Sequence, residues 1–164
     1  LDIHYNLNIM TTKKFNRILL AIDETPCSRR AIDYAREIVE EIHPALALVT
    51  VVPPTSPTSY GVDPLLGQQP IIVPEVSEIQ QQASQEFLNR LATEFQGASE
   101  TFTFNRVGDV RDEILQVAKE WTADLIIMGN NGRTGFDHFL SGSVSEALIR
   151  KASCPVLVIP LNCD

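Results

Sequence analysis

Apolar and polar positions alternate along the chain in two rhythms, one of strands and one of helices. Arg17-Ile-Leu-Leu-Ala-Ile-Asp23 is a short apolar run ending in an acid and predicts strand 1. Thr25 then stands as an N-cap with Pro26 at the first helical position. Ala31, Ile32, Ala35, Ile38, Val39 and Ile42 recur at helical spacing, so helix 1 is expected from about Pro26 to Ile42. His43-Pro44 stops it, and the apolar run Ala45 to Val52 reads as a strand buried on both faces. Ser77 with Gln80 resembles a capping box, and Ile79, Ala83, Phe87, Leu88, Leu91 and Phe95 mark helix 2, which Gly97 ends. Thr101 to Arg106 alternates as strand 3. Gly108-Asp109 leads into helix 3, with Val110, Ile114, Val117, Ala118 and Trp121 on one face. Asp124 to Gly129 is strand 4, about Ser143 to Ala152 is helix 4, and Pro155 to Ile159 is strand 5. Such alternation predicts a single α/β domain: an open sheet of five parallel strands with helices on both faces. There is no internal repeat, and the pattern of helix 2 is not sustained over enough heptads for a coiled coil.

Two stretches stand outside this rhythm. Residues 53–75 hold Pro53, Pro54, Pro57, Pro64, Pro70 and Pro74, and predict a long irregular loop. It is expected to be either a mobile connector or a flap over a ligand or partner. Residues 1–13 read as a flexible N-terminal extension ahead of a domain spanning 14–164. Met10 followed by Thr-Thr-Lys-Lys looks like a natural start, so residues 1–9 are given no function.

Composition narrows the function. The 164 residues suit one domain, and 44% hydrophobic with 21% charged residues is ordinary for a globular chain. The net charge of -8 argues against a general affinity for nucleic acid or anionic lipid. It leaves room for one nucleotide, since backbone N–H groups alone can cradle a phosphate. No apolar run reaches a membrane span, and the N-terminus lacks a signal-peptide pattern. Cys27, Cys154 and Cys163 form no paired motif and read as thiols in a reducing compartment. A cytoplasmic protein is expected.

The chemistry concentrates between Gly129 and Ser145. Ligands of open α/β sheets sit beyond the carboxyl ends of strands, and Gly129 closes strand 4. Glycines let backbone N–H groups turn toward an anion. Gly142-Ser143 opens helix 4, whose N-terminus favours phosphate, with the hydroxyls of Ser143 and Ser145 as further donors. Equally, the glycines could merely shape a strand-to-helix connection and Ser143 merely cap a helix. The segment is neither a Walker A loop nor a G-x-G-x-x-G fingerprint.

The spacing Gly129-x2-Gly132-x9-Gly142-Ser143 resembles the ATP-binding signature of the universal stress protein family. The likeness runs from about Lys14 to Pro160 and takes in Ile-Leu-Leu-Ala-Ile-Asp23, Asp124-Leu-Ile-Ile-Met-Gly129, Gly142-Ser143-Val-Ser and Cys154-Pro-Val-Leu-Val-Ile159. It implies a Rossmann-like sheet of order 3-2-1-4-5, with Asp23 and Gly129 on either side of one crevice. By resemblance, Ala21, Ile22 and Asp23 line the base and ribose pocket, and the Val51 backbone meets the adenine. Met128 and Gly129 border the ribose. Gly132, Arg133, Gly142, Ser143, Val144 and Ser145 hold the phosphates, with Mg²⁺ carried by them and no direct metal ligand.

Other readings stay open for single residues: Asp23 as a helix cap, Val51 and Met128 as plain core, Arg133 as a solvated cation, His138 as a surface or dimer contact. The resemblance implies an ATP-binding (or AMP- or ADP-binding) sensor of stress. The alternatives are a slow ATPase or phosphoryl- or adenylyl-transfer enzyme, and a dimeric interaction protein that binds AMP or nothing. No catalytic residue is assigned, because only Asp23 could act as a base and it already has a binding role. The last strand is expected to pair with its twin in a homodimer through Val156 and Val158.

Overall fold

A computed structural model describes residues 15–25, 28–54, 75–130 and 144–160. Five strands form one all-parallel sheet: β1 (Arg17–Ala21), β2 (Ala45–Val52), β3 (Glu100–Val107), β4 (Leu125–Asn130) and β5 (Val156–Pro160). Their order is β3-β2-β1-β4-β5, as the resemblance implied. Four helices connect them: α1 (Ser28–Ile42), α2 (Glu75–Ala92), α3 (Val110–Glu120) and α4 (Val144–Lys151).

Strand pleating decides which side chain meets which helix. In β1, Ile18 and Leu20 enter the core under α1 and α2, beside Ala31, Val39 and Leu88. Leu19 and Ala21 enter the core under α3 and α4, beside Ile114, Val117 and Leu148. Ile18, Leu19 and Leu20 are all fully buried, which explains why this central strand reads as a continuous apolar run. Edge strand β3 instead alternates, because its two faces are only partly covered.

The element ends differ from expectation in instructive ways. Strand 1 stops at Ala21 rather than Asp23, because the Asp23 side chain turns the chain toward α1. Helix α2 begins at Glu75, which puts Ser77 inside the first turn and overturns its reading as an N-cap. β3 gains Glu100 and Val107, both in register with β2. Helix α2 also ends at Ala92, so Phe95 packs from beyond the helix and Gly97 does not end it. The remaining ends move by a residue or two, as helix and strand ends commonly do. The N-terminal extension of residues 1–13, Lys14, Pro26 and most of the proline-rich segment lie outside the described residues.

Candidate nucleotide cleft

The carboxyl ends of the strands are uneven, and a cleft results. β1 pairs with β2 only as far as Ala21–Val49, and the Ile22 N–H closes the last rung on the Val49 carbonyl at 3.1 Å. β2 runs on through Thr50, Val51 and Val52, held by β3 on its other side. The Gly108 N–H donates to the Val52 carbonyl, so Val52 turns its backbone toward β3. By strand alternation, Val51 turns its N–H and carbonyl the opposite way, past the end of β1. Those two groups therefore border the cleft, as expected for a residue that reads a ligand through its backbone. Across β1, Met128 lies in register with Ala21, and Gly129 continues β4 beyond it. The cleft holds about 400 Å³ and is lined by Ala21, Ile22, Asp23, Val51, Met128, Gly129 and Val144 among others.

Its polar corner is the turn into α1. Asp23 Oδ1 accepts from the Thr25 N–H at 3.1 Å, from Thr25 Oγ1 at 2.5 Å and from Ser28 Oγ. Ser28 Oγ in turn accepts from the Asp23 N–H at 3.4 Å. Asp23 is thus both a wall of the cleft and the residue that shapes the start of α1. The two readings of this side chain are compatible. Behind it, buried Thr50 donates its hydroxyl to the Ile22 carbonyl at 2.9 Å and fixes the end of β1. Glu24, next in the turn, is tied to α2 by Ser84 Oγ at 2.9 Å, beside a second hollow of about 330 Å³.

The opposite wall comes from α3, which sequence reasoning assigned only to the core. Val110 and Ile114, one turn apart, face the cleft. Their start is fixed by Asp109, an N-cap whose carboxylate accepts from the N–H groups of Arg111 at 3.0 Å and Asp112 at 3.3 Å. The Arg111 guanidinium also forks onto Asp109 at 3.0 and 2.9 Å. That hydrogen bond, assisted by the two backbone donors, holds the Asp109 carboxyl at about 2.

Val144 lines the cleft from the first turn of α4, whereas Ser145 in that turn is not among the lining residues. Gly132, Arg133, His138, Gly142 and Ser143 lie outside the described residues. Thr25, Ser28, Val49 and Pro53 join the lining without having been anticipated. The hydroxyl pair could have been found from Asp23-x-Thr25-x-x-Ser28, the spacing of a side-chain-capped turn. Among the described residues, no group of three or more His, Cys, Asp or Glu gathers to hold a metal ion, and no helix is long and apolar enough to cross a membrane.

The model of the universal stress protein family matches residues 14–160. Universal stress protein YxiE of Bacillus subtilis is 30% identical over 151 residues, covering 88% of this chain and 99% of the relative. The solved structure of MJ0577 from Methanocaldococcus jannaschii superposes with a TM-score of 0.71 at 22% identity, covering 92% of this chain and 99% of the other. A universal stress protein solved in complex with cAMP superposes with a TM-score of 0.65 at 23% identity, covering 91% and 99%.

Proposed function

The chain belongs to the universal stress protein family, and from that premise we propose that its carboxyl-end cleft binds an adenine nucleotide, ATP with Mg²⁺ on its phosphates, as the input of a cytoplasmic stress sensor. The observation that carries this reading is the unequal length of β1 and β2. It leaves the Val51 N–H and carbonyl on the edge of an apolar slot, where an adenine edge offers a matching acceptor and donor. A family member solved with cAMP supports the ligand class.

In this reading Ala21, Ile22 and the α3 residues Val110 and Ile114 hold the base. Asp23 meets the ribose hydroxyls, which accords with its place in the polar corner. Met128 and Gly129 border the ribose. The phosphates go to the glycine segment, with Gly132, Arg133, Gly142, Ser143, Val144 and Ser145 as their partners. The proposed role is binding rather than turnover, because no residue is assigned to orient an attacking water. Nucleotide state is passed on through a homodimer along β5. Val156 and Val158 are half-buried there, Leu157 is 36% exposed, and Ile149 of the neighbouring α4 is 60% exposed.

Titration calorimetry with ATP tests the site. Gly142→Val is expected to weaken binding by about tenfold or more, because a side chain there blocks close approach of phosphate. Unchanged affinity would overturn the phosphate assignment. A purified chain that carries no nucleotide by mass spectrometry, and shows no heat with ATP, ADP or AMP, would overturn the whole reading.

A further inference from the structure

The two edges of the sheet are not equally guarded. β5 is short, follows Pro155 and ends at Pro160. The Pro155 carbonyl accepts from the Ile126 N–H, so alternation turns Val156, Val158 and Pro160 outward, and Pro160 has no N–H to offer. β3 is eight residues long, Glu-Thr-Phe-Thr-Phe-Asn-Arg-Val, with no proline, no lysine and no break in its register with β2. Prolines, lysines and register breaks normally blunt an edge, and β3 has none of the three; its charges are one acid and one base, Glu100 and Arg106. Its even-numbered residues bond β2, as the Gly108 N–H on the Val52 carbonyl fixes, so Thr101, Thr103 and Asn105 present their backbone groups outward.

We propose that this outer edge pairs antiparallel with the β3 edge of a second copy, about a two-fold axis at Thr103. The residue order is self-complementary in that register. Glu100 falls opposite Arg106, Thr101 opposite Asn105, Phe102 opposite Phe104, and Thr103 opposite itself. Opposite residues share a face, so each match is a direct cross-strand pair. The outward backbone groups of Thr101, Thr103 and Asn105 then all find partners.

Two features of the single chain are accounted for by such a partner. Phe102 packs its ring at a tilt against Trp121, with centroids 5.8 Å apart, yet stays 38% exposed, and the partner's Phe104 covers it. Arg106 Nη2 bonds Glu120 at 2.7 Å while 33% of the side chain stays exposed, and the partner's Glu100 meets the guanidinium there. A generic extended peptide would satisfy the backbone without matching these side chains, which is why the occupant is a second copy. The edge is separate from β5, so both pairings together would join dimers into larger assemblies.

The test is sedimentation velocity of the full chain over a concentration series, with thermal unfolding alongside. Thr103→Pro removes an outward N–H and none that bonds β2. It is expected to weaken one assembly step by at least about tenfold. Arg106→Glu sets like charges opposite each other and is expected to weaken the same step by about tenfold. The double exchange Glu100→Arg with Arg106→Glu is expected to restore it. The loss is read as one step relative to wild type, whichever oligomer β5 creates. If Thr103→Pro and Arg106→Glu sediment like wild type, or if the double exchange fails to restore a lost step while unfolding normally, the β3 pairing is wrong. Should Thr103→Pro not fold, the charge pair decides alone.

Discussion

The amino end of the sheet is sealed, whereas the carboxyl end is open. At the amino end, the Asp124 carboxylate accepts the backbone N–H groups of Asn16 and Arg17 at 2.9–3.2 Å, tying the starts of β1 and β4 together. The Arg17 guanidinium lies 4.5 Å over the Trp121 ring, which is 7% exposed and fills the gap beneath α3. The Ala45 N–H reaches the Asn16 carbonyl at 2.8 Å. At the carboxyl end the same strands stop at different lengths and carry small residues, Ala21 and Gly129, beside the N-terminal turns of α3 and α4. Helix N-termini gather at that end because each helix of a parallel sheet starts where a strand finishes. The lesson is a division of labour: the Asp124 carboxylate and the stacked pair Arg17 and Trp121 fix one end, and small residues at the other leave a cleft.

The largest break in this division is expected from Trp121→Ala. Removing the ring empties the space between α3, Phe102 and Arg17, and is expected to cost about 3–5 kcal/mol of stability. Urea unfolding reads the loss. Nucleotide affinity, measured well below the unfolding transition, is expected to stay within about twofold, a difference of only a few tenths of a kcal/mol. If affinity falls in step with stability, the two ends are not independent.

The sealed end was legible in the sequence only as pattern. Trp121 joins the apolar face of helix 3 as its pattern predicts, though as the C-cap just past Glu120, and nothing along the chain announces that Arg17, more than a hundred residues earlier, lies over its ring. The layering came from the periodicity, because parallel strands buried on both faces leave unmistakable apolar runs, whereas the strand order came from the family resemblance alone. The open end was legible at Ala21, Ile22, Asp23, Val51, Met128, Gly129 and Val144, all of which line the cleft. Val110 and Ile114 were not, because a cleft wall and a core face have the same helical period. Only the overhang of α3 beyond the end of β1 separates them. Ser77 misled because a capping box is a local pattern, and α2 starts earlier than that pattern requires.

Thr50→Val sharpens the comparison from the open end. The change keeps the shape and removes the hydroxyl that holds the Ile22 carbonyl. A buried carbonyl left without its donor is expected to cost about 1–2 kcal/mol. Unlike Trp121→Ala, this variant is expected to weaken ATP binding as well, because Ile22 leads directly into the Asp23 turn. Calorimetry alongside urea unfolding separates the outcomes. A loss of stability with unchanged affinity would place Thr50 in the frame rather than the cleft.

The smallest effect is expected from Asp109, which fixes the α3 wall from an exposed position. Its carboxyl is held at about 2, below the ordinary 3.8, chiefly by the Arg111 hydrogen bond. A depressed carboxylate contributes its full stabilisation above 3.8 and loses it as the pH falls from there through about 2. Asp109→Asn keeps a capping oxygen but gives up the charge toward Arg111. The variant is therefore expected to be slightly less stable than wild type at neutral pH, with the gap closing as acid titrates the wild-type carboxylate. Urea unfolding of both chains across that acid range measures the gap. A gap of constant size down to the lowest pH would mean that the charge of Asp109 does not hold the wall, and that its caps to Arg111 and Asp112 suffice without it.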